Sequence, residues 1–266
     1  MRSKHMVSLL VVAGAGLGAV SPTPGAAADV DIIFASDFLS GSALQWVRRN
    51  PQAGGATIAL APALVSAVKL SNGGASMTLY LQVPPALNHE SGYPFFSALK
   101  TFGPANPSPP GIGDCVIAQG PIALFHGATE LSPATITATN DADCGGSPLV
   151  PYATTVADCA TDADLNADNQ PGPSAEALES VLVTLNPVDG KPGLPGEGFS
   201  VRDTGIFSNS FLYVAPTLYA FSAGTQGTLQ TFHITGVFDE SDPAVPPPTN
   251  QYQLLPRSAS DIVLLP

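Results

Sequence analysis

Charge is scarce in this chain, and positive charge scarcer still. Only 11% of its 266 residues are Asp, Glu, Lys or Arg, and 9 Lys and Arg stand against 21 Asp and Glu, a net charge of -12. The cations past the N-terminus (Arg48, Arg49, Lys69, Lys100, Lys191, Arg202, Arg257) are scattered. No run of them makes a polybasic surface, so polyanions and anionic membranes are poor default partners. Histidine is rarer still, at 4. His89, His126 and His233 fall in different segments and form no H-x-x-x-H or H-E-x-x-H spacing, so the sequence signals no zinc site. His126 and Glu130 stand four apart but straddle a turn, and the isolated turn histidine reads as solvated. G-x-S-x-G, P-loop and Cys-x-x-Cys motifs are also missing, which leaves nucleophilic and phosphate chemistry without a recognisable carrier. No amphipathic helix of four turns is visible.

Present instead are 26 Gly and 27 Pro, which split the apolar positions into short runs. That pattern predicts many short strands and few helices. The N-terminus has Arg2 and Lys4, an apolar run from Met6 to Val20, then Ala26-Ala27-Ala28. It reads as a secretory signal peptide over residues 1–28, cleaved after Ala28. No cysteine stands there to carry a lipid, and after cleavage no membrane span is expected. Removing Arg2 and Lys4 takes the net charge to about -14, from composition alone.

Residues 113–131 contain a pattern that returns in looser form between Thr231 and Asp261. Each copy reads as a strand ending in Gly (Gly120, Gly236) and a second strand (Ile122 to Phe125, Val237 to Asp239). A turn follows, then a polar-Leu-x-Pro finish (Glu130 to Pro133, Gln253 to Pro256). The period is too long for a solenoid and predicts two copies of one small β unit. Expected boundaries are 29–140 for the first β domain, 141–173 for an acidic Gly/Pro-rich linker and 174–266 for the second. Ala56 to Leu60, Ala63 to Leu70 and Met77 to Val83 read as strands, the last two a hairpin around Asn72-Gly73-Gly74. Pro84 to Gly111 reads as a Pro-rich loop with aromatics Tyr93, Phe95, Phe96 and Phe102, which cover the barrel end or serve as a binding platform. A helical turn carries Trp46. In the second copy Ala175 to Leu185 is the counterpart of Ala63 to Leu70, followed by strands at Phe199 to Asp203 and Phe211 to Tyr219.

These pieces resemble the OB-fold-like domains of secreted bacterial proteins, known chiefly as modules ahead of the catalytic domain of extracellular nucleases. The resemblance rests on Leu64-Val-Ser-Ala-Val, Leu79-Tyr-Leu-Gln82, Gly113-Asp-x-Val-x-x-x-Gly120 with Thr129-Glu-Leu131, Ala177-Leu-Glu-Ser-Val-Leu-Val183, and Leu254-Leu-Pro-Arg-Ser-Ala-Ser-Asp-Ile262. It implies an all-β protein of two tandem OB-like barrels, each a five-stranded Greek key whose outer face and loops bind oligonucleotides, oligosaccharides or proteins. Each piece builds a barrel rather than a site, so the resemblance bears on fold and hardly on activity. It departs from the nuclease members in that the sequence stops at Pro266, directly after the second copy. A bacterial periplasmic or extracellular location is expected.

Three cysteines entering an oxidising compartment leave one over after a pair closes. Cys144 and Cys159 share one segment and are the expected pair, although spacing alone does not fix connectivity; Cys115 reads as a small buried hydrophobe. The one constellation of ligand atoms is Asp162, Asp164, Asn166 and Asp168, with oxygens at alternate positions as in a calcium loop. Ala167 replaces the glycine of that loop and Pro173 stands where its bidentate Glu belongs, so the alternative is a solvated acidic linker. Calcium is the only cofactor suggested. Three functions follow: a non-enzymatic binding or structural module for an extracellular protein or saccharide, an accessory nucleic-acid-binding protein, or a hydrolase with an unrecognised site.

Overall fold

The computed structural model describes residues 57–87, 94–125, 128–159, 173–205, 211–240 and 252–266, together with Leu44, Arg48 and Gly55. The predicted signal peptide, Trp46, Tyr93, His89, His126 and the run Asp162, Asp164, Asn166 and Asp168 lie outside the described residues. Two seven-stranded sheets make up the fold. The first holds β1 (Thr57–Ala59), β2 (Ala63–Ser71), β3 (Ser76–Gln82), β4 (Ala98–Pro104), β5 (Cys115–Phe125), β6 (Ala128–Leu131) and β7 (Thr135–Ala138). The second holds β8 (Tyr152–Thr154), β9 (Leu182–Gly190), β10 (Phe199–Asp203), β11 (Leu212–Val214), β12 (Gln230–Glu240), β13 (Tyr252–Leu255) and β14 (Ile262–Leu264).

Each sheet closes on itself. In the first, β2, β3 and β4 form an antiparallel meander, β4 pairs in parallel with β6, and β5 joins β6 back to β2. In the second, β9, β10 and β11 repeat the meander, β11 pairs in parallel with β13, and β12 joins β13 back to β9. Both are therefore five-stranded Greek-key barrels with the strand order of an OB fold. The protein is all-β with two such barrels in tandem.

Alternation explains the closure. On β3, Met77, Leu79 and Leu81 point into the first core with Val65, Leu99 and Leu131, while Thr78 and Tyr80 point out. The second core gathers Val183, Leu185, Val201, Val214, Phe232 and Ile234. The β2–β3 turn works because Asn72, Gly73 and Gly74 all take positive φ (53°, 66° and 91°), the region that suits Asn and Gly.

Several expectations need correction. Gly120 and Gly236 do not end strands: β5 and β12 run unbroken through them, 11 residues each. Each long strand pairs with the first barrel strand over its first part and with the fifth over its last part. The glycines sit where the returning chain passes closest. A Cβ on Gly120 would lie 2.6 Å from the Pro133 carbonyl oxygen, and one on Gly236 would lie 2.7 Å from that of Leu255. The stretch read as a Pro-rich loop contains β4, whose Leu99 and Thr101 are buried opposite Leu81 and Leu79. The counterpart of the first barrel strand begins later than expected, since Pro173–Leu178 is helical and β9 starts at Leu182. Phe211 to Tyr219 shortens to β11.

The disulfide joins Cys115 to Cys144, and not Cys144 to Cys159. Cys115 opens β5 opposite Leu64, and the turn Asp141–Cys144 packs on that end of the strand, bringing the two Cα atoms to 5.9 Å. Cys159 is carried the other way. It ends the helical turn Val156–Cys159, which buries Val156 and Cys159 in the second core. Two backbone amides of that turn, Val156 and Ala157, donate to the Asp203 carboxylate at 2.8 and 2.9 Å. The predicted linker is thus docked over its described part, and β8 extends the second sheet beside β9.

Candidate functional site

The outer face of β2, β3, β4 and β6 carries the polar side chains that alternation keeps out of the core. Strand register aligns them in rows: Tyr80 opposite Lys100 and Lys100 opposite Glu130, then Lys69 opposite Thr78 and Thr78 opposite Phe102. The second barrel sits against one end of this face. Ala67 and Tyr80 pack with Leu182, Ala215, Val237 and Leu255, and Gln82 Oε1 accepts a hydrogen bond from the Leu182 amide at 3.0 Å. Burying Leu182, Val237 and Leu255 contributes ~1.5–3 kcal/mol each against leaving them in water.

Polar contacts continue the seam. The Tyr80 hydroxyl donates to Asp239 Oδ2 at 2.8 Å, and Lys100 Nζ lies 3.4 Å from Asp239 Oδ1. Burial alone would lower the Lys100 ammonium, but Asp239, Glu179 and Glu130 hold it above its usual value. Burial, with Asp239 next to it, raises the Tyr80 hydroxyl well above the ordinary range. At the opposite margin Arg48 is fully buried: Nη1 meets Glu179 Oε2 at 2.9 Å, and Nη2 donates to the Glu176 carbonyl at 2.8 Å. Leu44, four positions earlier, is buried in the first core, so Leu44 and Arg48 between them reach both barrels. Tyr252 stacks on Phe238 with ring centroids 4.9 Å apart and donates to Glu176 Oε2 at 3.0 Å. Burial pushes the Glu179 carboxyl up to about 7, an effect that Arg48 only partly offsets. On the far side of the seam Arg257 holds Asp261 through two donors at 2.9 Å and reaches the Ser66 carbonyl at 3.2 Å.

Where the barrels diverge, the seam opens into a cleft of about 450 Å³. The first barrel lines it with Lys69, Thr78, Lys100, Phe102, Phe125 and Glu130, and the second with Thr217, Asp239, Glu240 and Gln253. Phe102 and Phe125 remain 38% and 54% exposed. Burial pushes the Glu240 carboxyl up to about 8, with Glu179, Glu176 and Asp239 adding repulsion. The arrangement offers two aromatic rings beside hydrogen-bonding groups of both kinds, a surface suited to holding a ligand.

Sequence reasoning reached one part of this site, Phe102, as a loop aromatic and candidate platform; the structure places it on a strand. The Tyr80–Asp239–Lys100 triad, Arg48 with Glu179, and Glu240 were missed. Their signal was the alternation itself, since Thr78, Tyr80 and Gln82 interrupt an apolar strand at every second position. Of the predicted site residues, the structure buries Cys159 and pairs Cys144 with Cys115. Among the described residues, no group of three or more His, Cys, Asp or Glu is placed to hold a metal ion, and no helix is long and apolar enough to cross a membrane.

No protein-family model matches this chain, and no curated protein matches it. A solved structure described as "Molecular basis for abrogation of activation of pro-inflammatory cytokines" aligns with 80% of the chain and 94% of its own length. It is 8% identical with a TM-score of 0.28, a likeness that carries no argument about this protein.

Proposed function

We propose that this protein is a secreted, non-enzymatic binding module whose ligand sits in the cleft between its two barrels. The observation that carries the reading is the placement of exposed Phe102 and Phe125 on the walls of a cleft whose polar groups come from both barrels. The disulfide Cys115–Cys144 supports an oxidising destination, in keeping with the signal peptide read from the sequence. The resemblance to modules of extracellular nucleases belongs to the same proposal and bears on the kind of module rather than on its ligand. A groove for single-stranded nucleic acid joins aromatics to cations that track the phosphates, whereas this cleft sets Glu130 and Asp239 beside its two lysines.

The test is a binding screen of neutral oligosaccharides, acidic and basic peptides and oligothymidylate, read by ligand-observed NMR, with each ligand recovered for mass spectrometry. The expected result is a ligand recovered intact whose binding weakens in Phe102→Ala and Phe125→Ala. Cleaved ligand overturns the non-enzymatic reading. Binding indifferent to both substitutions overturns the cleft.

A further inference from the structure

The charges lining the cleft come close to cancelling. Lys69 and Lys100 face Glu130, Asp239 and Glu240. Asp239 is already engaged by the Tyr80 hydroxyl and Lys100, and Glu130 lies directly across the sheet from Lys100. The Glu240 carboxyl, pushed up to about 8, is mostly protonated at neutral pH and serves there as an uncharged donor and acceptor. Two cations and two carboxylates remain, Lys69, Lys100 and Glu130 on the first barrel's wall and Asp239 on the second's. A chain of phosphates would meet the carboxylates, and a polyamine would meet the lysines; either brings like charges together in a partly desolvated space. An uncharged ligand meets neither penalty.

The remaining groups say what such a ligand carries. Phe102 and Phe125 line the cleft and are 38% and 54% exposed, and aromatic side chains at such a surface take flat apolar patches of C–H groups. Thr78, Thr217, Gln253 and Glu240 present hydroxyl, amide and carboxyl groups that both give and accept hydrogen bonds. An apolar face ringed by hydroxyls is the surface of a pyranose. A cleft of about 450 Å³ lies in the range that holds a small ligand and has room for about two or three such rings.

We infer that the cleft binds a neutral oligosaccharide of about two or three pyranose rings, stacked on Phe102 and Phe125, with its hydroxyls bonded to groups of both barrels. This rests on the cleft being the ligand site, as proposed above. The experiment is isothermal titration of the oxidised protein with malto-, cello-, chito- and xylotriose, with spermidine and oligothymidylate as charged comparators, on wild type, Phe102→Ala, Phe102→Tyr and Phe125→Ala. The account expects at least one neutral trisaccharide to bind equally at low and high salt. It expects affinity to fall about tenfold in Phe102→Ala, the loss of one stacking contact, and to be largely kept in Phe102→Tyr. The Tm of each variant is measured alongside, so that a loss of affinity is read only on protein that remains folded at the titration temperature. If a charged comparator binds, loses affinity in Phe102→Ala, and no trisaccharide does, the saccharide inference is overturned while the cleft stands. A trisaccharide that binds wild type and both alanine variants alike overturns the cleft itself, and no binding by any trisaccharide overturns the inference.

Discussion

The Tyr80 hydroxyl on the first barrel is 2.8 Å from Asp239 Oδ2 on the second, and both residues are buried. Lys100 completes the contact from the neighbouring strand. A carboxylate placed this deep is tolerated because two donors replace the water it gave up. Tyr80→Phe removes one donor and is expected to cost ~1–3 kcal/mol in urea unfolding. Asp239→Ala takes from both the Tyr80 hydroxyl and Lys100 the acceptor they share and is expected to cost more, ~3–5 kcal/mol. Equal effects would place the energy of the contact in the tyrosine alone.

Glu240 gives the seam a pH dependence. Its carboxyl is at about 8 in the folded protein against an ordinary value of 4.5, so between those values the folded state holds a proton that the unfolded chain has released. Its stabilising contribution is complete below pH 4.5 and is lost as pH rises through about 8. Glu240→Gln is expected to remove that slope and to be the more stable form above pH 8. The gain is on the order of 1 kcal/mol once solvent screening of this half-buried group is allowed for. Urea unfolding across that range checks it; parallel curves for the two proteins would contradict it.

Many of the strands are legible in the sequence because alternation, turn glycines and apolar run lengths are local signals, whereas the two tandem barrels follow from the repeat and the resemblance. The hairpin Ala63 to Val83 came out nearly residue for residue. β4 was missed since Gly103, Pro104 and the prolines beyond it mark a loop, and its burial depends on β3 and β6, which lie outside the local window. The seam was illegible for the same reason at longer range: Tyr80 and Asp239 stand 159 positions apart. Cysteine pairing is not legible from spacing, because Cys159, nearer to Cys144 along the chain than Cys115 is, is held in the second core.

Closing the ring between Cys115 and Cys144, 29 residues apart, is expected to stabilise the protein by about 3–4 kcal/mol through the unfolded state. Cys144→Ser should lose that much. Cys159 should react with a thiol reagent only on unfolding, since burial pushes it up to about 12. Non-reducing peptide mapping that finds Cys159 in a disulfide would contradict the pairing.

Gly236→Ala tests the crossing of β12 and β13. The added Cβ would meet the Leu255 carbonyl oxygen at 2.7 Å and its carbonyl carbon at 2.8 Å, so the backbone must move. The expected cost is ~1–3 kcal/mol, with hydrogen exchange accelerated at β12 and β13. A wild-type Tm would show that the crossing has slack.

The central claim is that the two barrels form one unit across a shared seam, which is what gives the cleft its two walls. Differential scanning calorimetry of the oxidised protein tests it most directly. The account predicts one transition whose calorimetric and van't Hoff enthalpies agree, shifted down as a whole in Asp239→Ala. Two separable transitions, with only one moved by that substitution, would contradict it.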